Sequence, residues 1–170
     1  MKISIFSGSA RKANTAAMAE AFAEGARSAG HEVEILHIGK MNIAGCLGCE
    51  FCHTEGGGQC IQKDDMAKVM PAYLESDMIV FASPIYYFGM NSQTMAAMQR
   101  MYCIGKPAKA NKAALLLSSG SQGVYDGAIA TYKAMTSYVG LQDMGIITAA
   151  GLENGAEGKL AEVRDLAASL

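Results

Sequence analysis

The sequence lacks the features that mark membrane-spanning, nucleic-acid-binding and disordered proteins. It has no long unbroken apolar run, which excludes a membrane-spanning helix. Lys and Arg total 14 against 16 for Asp and Glu, so the basic excess of a nucleic-acid-binding domain is missing. Because 51% of the residues are hydrophobic, the chain is too apolar to be intrinsically disordered. We therefore expect a folded protein without a nucleic-acid or membrane partner.

No internal repeat, proline-rich linker or low-complexity tract divides the 170 residues. This length lies in the usual range of one domain and predicts a single compact domain over residues 1–170. The N-terminus enters an alternating strand pattern at once, with no secretory leader before it, so we expect a cytoplasmic protein. In that reducing compartment, clustered cysteines indicate metal or redox chemistry before a disulfide framework.

Strand patterns and helical patterns alternate along the chain. The predicted strands are Lys2–Ser7, Glu32–Ile38, Asp77–Ser83, Lys112–Ser118 and Met144–Ala149. The predicted helices are Ala13–Ala29, Asp64–Ser76, Ser92–Tyr102, Gly127–Val139 and Gly158–Leu170. This alternation predicts an α/β fold with a parallel sheet and helices on both faces. Ligands of such sheets bind beyond the carboxyl ends of the strands, so the loops after the strands are the candidate sites.

The loop after the first strand, Ser7–Thr15, leads directly into a helix. A helix N-terminus presents unpaired N–H groups and the positive end of the helix dipole, which favour an anion. Ser9, Asn14 and Thr15 add side-chain donors, and Arg11 adds a guanidinium suited to phosphate oxygens. The loop therefore predicts a phosphate site. Alternatively, Asn14 or Thr15 only caps the helix and Arg11 is a solvated charge.

Several classes of similar architecture are excluded by motifs that this loop does not contain. There is no Gly-x-x-x-x-Gly-Lys-[Ser/Thr], which excludes a P-loop NTPase. No Gly-x-Gly-x-x-Gly follows the first strand, which argues against a dinucleotide-binding Rossmann domain. The acidic cluster of a phospho-acceptor receiver domain is missing, and no cysteine precedes Cys46 to act as a phosphatase nucleophile.

The loop after the third strand, Ser83–Asn91, is rich in flat and bulky side chains. Aromatic residues at the open end of a sheet can cover a planar ring, or they can simply pack the core or a subunit contact. Its candidate ligand contacts are Pro84, Ile85, Tyr86, Tyr87, Phe88 and Gly89. After the fourth strand, Ser119 and Gly120 permit close backbone approach, or form a flexible surface turn. A planar ligand with a phosphate would span these loops, and FMN fits that description.

A segment rich in cysteine and glycine occupies residues 39–63. Cys46, Cys49 and Cys52 follow one another at x2 spacing, and Cys60 comes after the three glycines of Gly56–Gly58. Compact runs of this spacing recur in [4Fe–4S] proteins, whereas zinc ribbons more often pair two separate C-x2-C knuckles. An iron–sulfur cluster, zinc, free thiols and a redox disulfide all remain open from the residues alone.

These motifs together resemble the flavodoxin-like NAD(P)H-dependent FMN reductases. The resemblance rests on Gly8-Ser9-Ala10-Arg11, Asn14-Thr15, Asp64-Asp65-Met66, Asp77 and Ser83-Pro84-Ile85-Tyr86. The segment Cys46–Cys60 is similar to that of the iron–sulfur flavoprotein branch of the family. The match runs from Met1 to about Tyr102 and weakens beyond it.

The resemblance implies a flavodoxin-like, doubly wound sheet of five parallel strands in the order 2-1-3-4-5. It implies an FMN whose phosphate is held by residues matching Ser9, Arg11, Asn14 and Thr15, and whose ring lies on Pro84–Gly89. It also implies homodimers or homotetramers in which a neighbouring subunit helps to close the site.

Three functions are compatible with these features. The first is an FMN-dependent oxidoreductase that transfers electrons from NAD(P)H to a flavin, a quinone or another small acceptor. No residue is assigned as a general acid or base, because the cofactor would carry the chemistry. The alternative is an electron-transfer iron–sulfur flavoprotein that relays electrons from a ferredoxin-like donor through a cluster at Cys46, Cys49, Cys52 and Cys60. The third is a flavin-binding module without catalysis.

Overall fold

The computed structural model of the protein describes all residues from 1 to 170. Its strands are β1 (Lys2–Ser7), β2 (Glu32–Leu36), β3 (Met78–Tyr86), β4 (Gly89–Met90), β5 (Lys112–Ser119) and β6 (Gln142–Ala150). Its helices are α1 (Asn14–Ser28), α2 (Met66–Glu75), α3 (Ser92–Arg100), α4 (Asp126–Val139) and α5 (Glu157–Ala168). Single 3-10 turns stand at Ile38–Lys40, Phe51–His53, Met101–Ile104 and Gly151–Glu153. No helix combines the length and the apolar character needed to cross a membrane.

The five long strands form a parallel sheet in the order β2-β1-β3-β5-β6. This confirms the order 2-1-3-4-5, counted without the short strand β4, and therefore the flavodoxin-like arrangement. Ile5 in β1 lies between Ile35 of β2 and Val80 of β3. The order reverses at β1, so the loops after β1 and β3 emerge side by side at the carboxyl edge of the sheet.

Helices cover both faces of the sheet because the central strands are apolar on both faces. On one face, Met18 and Phe22 of α1 pack with Val163 and Ala167 of α5. On the other face, α2, α3 and α4 contribute a second core that includes Val69, Tyr73, Ala97 and Tyr132. Burial of β3 and β5 between these two cores explains why their sequences read as continuous apolar runs.

Two strand predictions need correction. The second strand ends at Leu36 rather than Ile38, because the chain turns there to pass over the loop after β1. Gly39 shows this contact directly, since a Cβ added to it would lie 2.3 Å from the Gly8 carbonyl oxygen. The third strand does not end at Ser83 but continues through Pro84 and Ile85 to Tyr86.

The segment Ser83–Asn91 is therefore a β-hairpin rather than an irregular loop. Tyr86 pairs with Gly89, and Ile85 pairs with Met90 in the antiparallel strand β4. The two turn residues, Tyr87 and Phe88, have φ angles of 47° and 66°. This is the left-handed region that two-residue hairpin turns require and that usually selects Asn and Gly.

Candidate functional site

The loop after β1 delivers an uncapped helix N-terminus to the carboxyl edge of the sheet. Helix α1 starts after Ala13, which makes no side-chain cap, and its first turn has no acidic residue. Ser9 closes the loop on itself: its hydroxyl donates to the Arg11 carbonyl oxygen at 2.6 Å and accepts from the Arg11 N–H at 3.3 Å. The first-turn N–H groups of α1 therefore have no side-chain acceptor and are available to an anion.

A cavity of about 600 Å³ opens beside this helix N-terminus. It is lined by Ser9, Arg11, Lys12, Ala13, Asn14, Ala16, Ala17, Glu20, His37 and Lys40. Arg11, Lys12 and Asn14 are exposed, so their side chains are free to contact a bound group. Three of the four predicted phosphate ligands thus line one cavity, and Lys12, Lys40 and the α1 dipole add to its positive potential.

Thr15, the fourth predicted phosphate ligand, has a different contact. Its side chain is buried, and its hydroxyl oxygen lies 2.6 Å from that of Ser118 at the end of β5. The bond ties the first turn of α1 to the carboxyl end of β5. Thr15 can therefore offer a backbone N–H to an anion, while its hydroxyl serves the fold.

Sequence reasoning missed Asn91, which joins the first and third loops. Asn91 caps α3 by accepting hydrogen bonds from the Thr94 N–H at 3.3 Å and from the Thr94 hydroxyl at 2.6 Å. Its Nδ2 donates to the Gly8 carbonyl oxygen at 2.7 Å. An Asn just before a helical pattern is a recognisable capping signal, but the bond to Gly8 depends on the fold.

The β3–β4 hairpin brings the third and fourth predicted loops together. Tyr87 is fully exposed, and Tyr86 and Phe88 are more than half exposed. A cavity of about 240 Å³ is lined by Ile85, Tyr87, Phe88, Ser119, Ser121 and Val124. Pro84 lies within β3 opposite Ser118, Gly89 pairs with Tyr86, and Gly120 is exposed beside the cavity without lining it.

The loop after β6, which carries no recognisable binding motif, also reaches this edge. Asn154 donates through Nδ2 to the Ser119 carbonyl oxygen at 2.6 Å, while its buried Oδ1 has no partner. Gly155 lies against Asn14: a Cβ added to it would be 3.7 Å from Asn14 Oδ1. The Asn-Gly pair was readable as a turn, but nothing in the sequence placed that turn between the other two loops.

The cysteine segment lies at the opposite end of α3 from the hairpin. Cys46, Cys49, Cys52 and Cys60 line one cavity, together with Cys103, Arg100 and Tyr102. Cys46 and Cys49 are exposed, and Cys52 and Cys60 are half-buried. No three His, Cys, Asp or Glu side chains are arranged to hold a metal ion. Four thiols match an iron–sulfur cluster in kind and number, and the segment would have to draw them together around it.

The segment is ordered by side-chain anchors at both of its ends and in its middle. The Tyr102 hydroxyl donates to Glu50 Oε1 at 2.9 Å, and this carboxylate raises the pKa of Tyr102. His53 Nε2 lies 3.0 Å from the Tyr102 carbonyl oxygen. Gln62 donates to the Gly45 carbonyl oxygen at 3.0 Å. The contacts of Glu50 and His53 attach the segment to the turn after α3, and the bond between Gln62 and Gly45 ties its two ends together.

Asp64 and Arg100 form a buried ion pair beside the cysteines. Arg100 Nη1 lies 2.6 Å from Asp64 Oδ2, and the two side chains are 2% and 9% exposed. Burial acts to raise the pKa of Asp64, but hydrogen bonds from Arg100, Ala44 and Met66 outweigh it and hold that pKa below its ordinary value. Asp64 therefore stays ionised and keeps the pair intact at neutral pH.

Comparison with known proteins gives one family match and several partial relatives. The family profile described as "NADPH-dependent FMN reductase" matches residues 1–167. An iron–sulfur flavoprotein of Archaeoglobus fulgidus is 40% identical over 87 residues, 51% of this chain and 42% of that protein. One of Methanosarcina thermophila is 30% identical over 123 residues, 71% of this chain and 63% of that protein. The matched region covers 42–51% of the length of three iron–sulfur flavoprotein relatives, so this chain spans about half of each.

Solved structures of similar fold cover the whole chain. An azoreductase from Bacillus anthracis superposes with a TM-score of 0.78 at 18% identity, covering 100% of both chains. An NAD(P)H:quinone oxidoreductase from Methanothermobacter marburgensis superposes with a TM-score of 0.69 at 20% identity, covering 99% of this chain and 94% of the other. At these identities the likeness shows the fold alone.

Proposed function

Because this chain belongs to the NADPH-dependent FMN reductase family, we propose that it binds FMN and transfers electrons from NAD(P)H to a small acceptor such as a flavin or a quinone. The observation that carries the proposal is the meeting of two unlike surfaces at one sheet edge. One is the cationic, uncapped start of α1, and the other is the exposed aromatic hairpin Tyr86–Phe88. A ligand with an anionic tail and a planar ring fits both.

The residues of the first loop would hold the phosphate. The first-turn N–H groups of α1 and the side chains of Ser9, Arg11 and Asn14 supply its donors. Ile85, Tyr87, Phe88 and Ser119 would support the ring in the smaller cavity. When bound, FMN supplies the hydride-accepting chemistry, so the protein needs only to bind, orient and shield it.

Replacement of one exposed cation tests the phosphate site. We expect Arg11→Ala to weaken FMN binding by about ten- to hundredfold, because a charged hydrogen bond to phosphate contributes about 1.5–3 kcal/mol. Lys133→Ala removes an equally exposed cation from α4 and is the matched control. FMN affinity is read from flavin fluorescence quenching, and NAD(P)H oxidation with a quinone is followed at the same time. Unchanged affinity in Arg11→Ala, or wild-type protein that does not bind FMN, would overturn the proposal.

A second candidate function is electron relay through an iron–sulfur cluster held by Cys46, Cys49, Cys52 and Cys60. It is supported by the shared cavity of the four thiols and by the names of the curated relatives. Helix α3 starts beside the hairpin and ends at this cavity, a distance of about 13 Å for its nine residues. Iron and acid-labile sulfide analysis of anaerobically purified protein tests it. About four irons per chain would support the relay. Iron-free protein that oxidises NAD(P)H would exclude the relay and leave the reductase as the function.

We also propose that the protein is a homodimer or a homotetramer. The exposed rings of Tyr87 and Phe88 at the hairpin tip form an apolar surface that a second subunit could cover. Light scattering coupled to size-exclusion chromatography tests this: a mass near the 17.8 kDa of one chain would contradict it.

A further inference from the structure

Arg100 is the most deeply buried charged residue of the protein, and one of its nitrogen donors forms no hydrogen bond. It is the last residue of α3 and is 2% exposed. Its Nη1 donates to Asp64 Oδ2 at 2.6 Å and to the Ala44 carbonyl oxygen at 3.0 Å, and its Nη2 donates to Asp64 Oδ1 at 3.2 Å. Nε is buried and has no partner. An unused buried donor is costly, at about 1–3 kcal/mol, so it calls for a functional explanation.

The Asp64–Arg100 pair holds both ends of the cysteine segment. The Ala44 N–H donates to Asp64 Oδ2 at 3.0 Å, so both backbone groups of Ala44 bond to the pair. Ala44 precedes Cys46 by two residues, and Asp64 follows Cys60 by four. The bidentate fork of the guanidinium on a carboxylate fixes its orientation as well as its position.

The unused donor of Arg100 belongs to a side chain that borders the thiols. Arg100 and Cys60 line two neighbouring cavities together, one of them shared with the other three clustered cysteines. The two side chains therefore lie side by side along both cavities. Asp64 compensates the charge of Arg100 but leaves the Nε–H available.

We propose that Arg100 is a positioning residue of the cysteine centre, oriented by Asp64 so that its Nε–H donates to the sulfur of Cys60 when the centre is formed. This inference rests on the iron–sulfur centre proposed above. The redox step is the transfer of one electron from the ferredoxin-like donor of the relay to the centre, so that the donor is oxidised as the centre is reduced, with no bond broken and no proton transferred. Hydrogen bonds to cluster sulfurs stabilise the more negative, reduced state and so raise the midpoint potential.

The test is Arg100→Lys, which keeps the charge but removes the fork and the Nε–H. We expect it to retain iron and sulfide and to have a midpoint potential more negative than that of the wild type. The shift expected is about tenfold in the reduction equilibrium, or about 59 mV for a one-electron couple. Potentials are measured by dithionite titration followed by EPR. Lys68→Gln, on the exposed face of α2, is the control for changes in nearby surface charge.

A second variant keeps the test decisive if Arg100→Lys does not fold. Arg100→Met with Asp64→Leu replaces the pair by apolar side chains at unchanged net charge, an exchange that buried pairs often tolerate. We expect the same negative shift, or loss of iron from a protein that remains folded by circular dichroism. A folded variant with the wild-type iron content and midpoint potential overturns the inference about Arg100 but not the proposal of an iron–sulfur centre. Wild-type protein without iron overturns both, so the two failures are distinguishable.

Discussion

The side chain of Asn91 bonds directly to the backbone of Gly8, with Nδ2 and the Gly8 carbonyl oxygen 2.7 Å apart. The two residues are 83 positions apart in the chain and belong to the two loops that flank the reversal of strand order. Asn91 also caps α3, and its own N–H donates to the Ser83 hydroxyl at 3.0 Å. One side chain therefore sets the spacing between the proposed phosphate site and the proposed ring site.

We predict that Asn91→Ala lowers the free energy of unfolding by about 2 kcal/mol, because it removes a helix cap and leaves a buried carbonyl oxygen unpaired. FMN affinity should fall as well, since the two loops lose their common tie. Chemical denaturation and flavin titration measure the two effects. Ser92→Ala, which removes an exposed hydroxyl bonded only to Gln93, should change neither. Equal stability of the two variants would contradict this role of Asn91.

Gly8 and Gly39 should not tolerate a side chain. A Cβ on Gly8 would lie 2.3 Å from Thr94 Oγ1, and one on Gly39 would lie 2.3 Å from the Gly8 carbonyl oxygen. We expect Gly8→Ala and Gly39→Ala each to cost about 2 kcal/mol or more and to reduce FMN binding. Gly158→Ala meets no atom within 4 Å and lies in α5, so it should be neutral or stabilising by up to about 1 kcal/mol. Thermal melts of the three variants check the contrast.

We expect the two aromatic residues of the hairpin turn to strengthen ligand binding and to lower the stability of the fold. Tyr87 and Phe88 hold left-handed backbone angles that cost a side-chain-bearing residue about 1–2 kcal/mol each. We predict that the double variant Tyr87→Asn, Phe88→Gly is more stable than the wild type, because Asn-Gly suits this turn. Its FMN affinity should fall about tenfold with the loss of two aromatic contacts. Tyr138→Ser removes an exposed ring from α4 and should leave FMN affinity unchanged.

The contribution of Asp64 to stability should depend on pH. Its pKa is below the ordinary 3.8 in the folded protein, so the folded state favours the charged carboxylate. The stability it adds is therefore complete above the unfolded-state pKa and is lost as the pH falls through the folded-state pKa. We expect the difference in melting temperature between wild type and Asp64→Asn to be largest at neutral pH and to shrink below about pH 4.

Asp65→Asn provides the comparison for this pH dependence. Asp65 is next in the chain and pairs with the exposed Lys68, so solvent screens its interaction and its loss should matter less. Thermal melts from neutral pH to about pH 3 would show the two profiles. A difference for Asp64→Asn that does not vary with pH would mean that its charge is not what stabilises the protein.

The α/β class and the helices on both faces of the sheet followed from periodicity, because these depend on local patterns of apolar residues, whereas the strand order came from the family resemblance. The end of β3 followed from neither. Ser83-Pro84 has the appearance of a strand end, yet Pro84 lies within β3 and pairs with Ser118. Strand pairing therefore outweighed the local tendency of these two residues to end a strand. The bond between the Thr15 and Ser118 hydroxyls could not be predicted either, because the two residues are 103 positions apart in the chain.

The sequence by itself determined the alternation of elements, the α/β class, the family and the three segments that carry polar or aromatic chemistry. The tertiary structure alone decided which of those segments meet. Asn91 reaches Gly8, Asn154 reaches Ser119, and Arg100 holds Asp64, none of them neighbours in the chain. The physical reason is that local propensity depends on residues a few positions apart, whereas a site is made by hydrogen bonds and burial that exist only after the sheet has assembled.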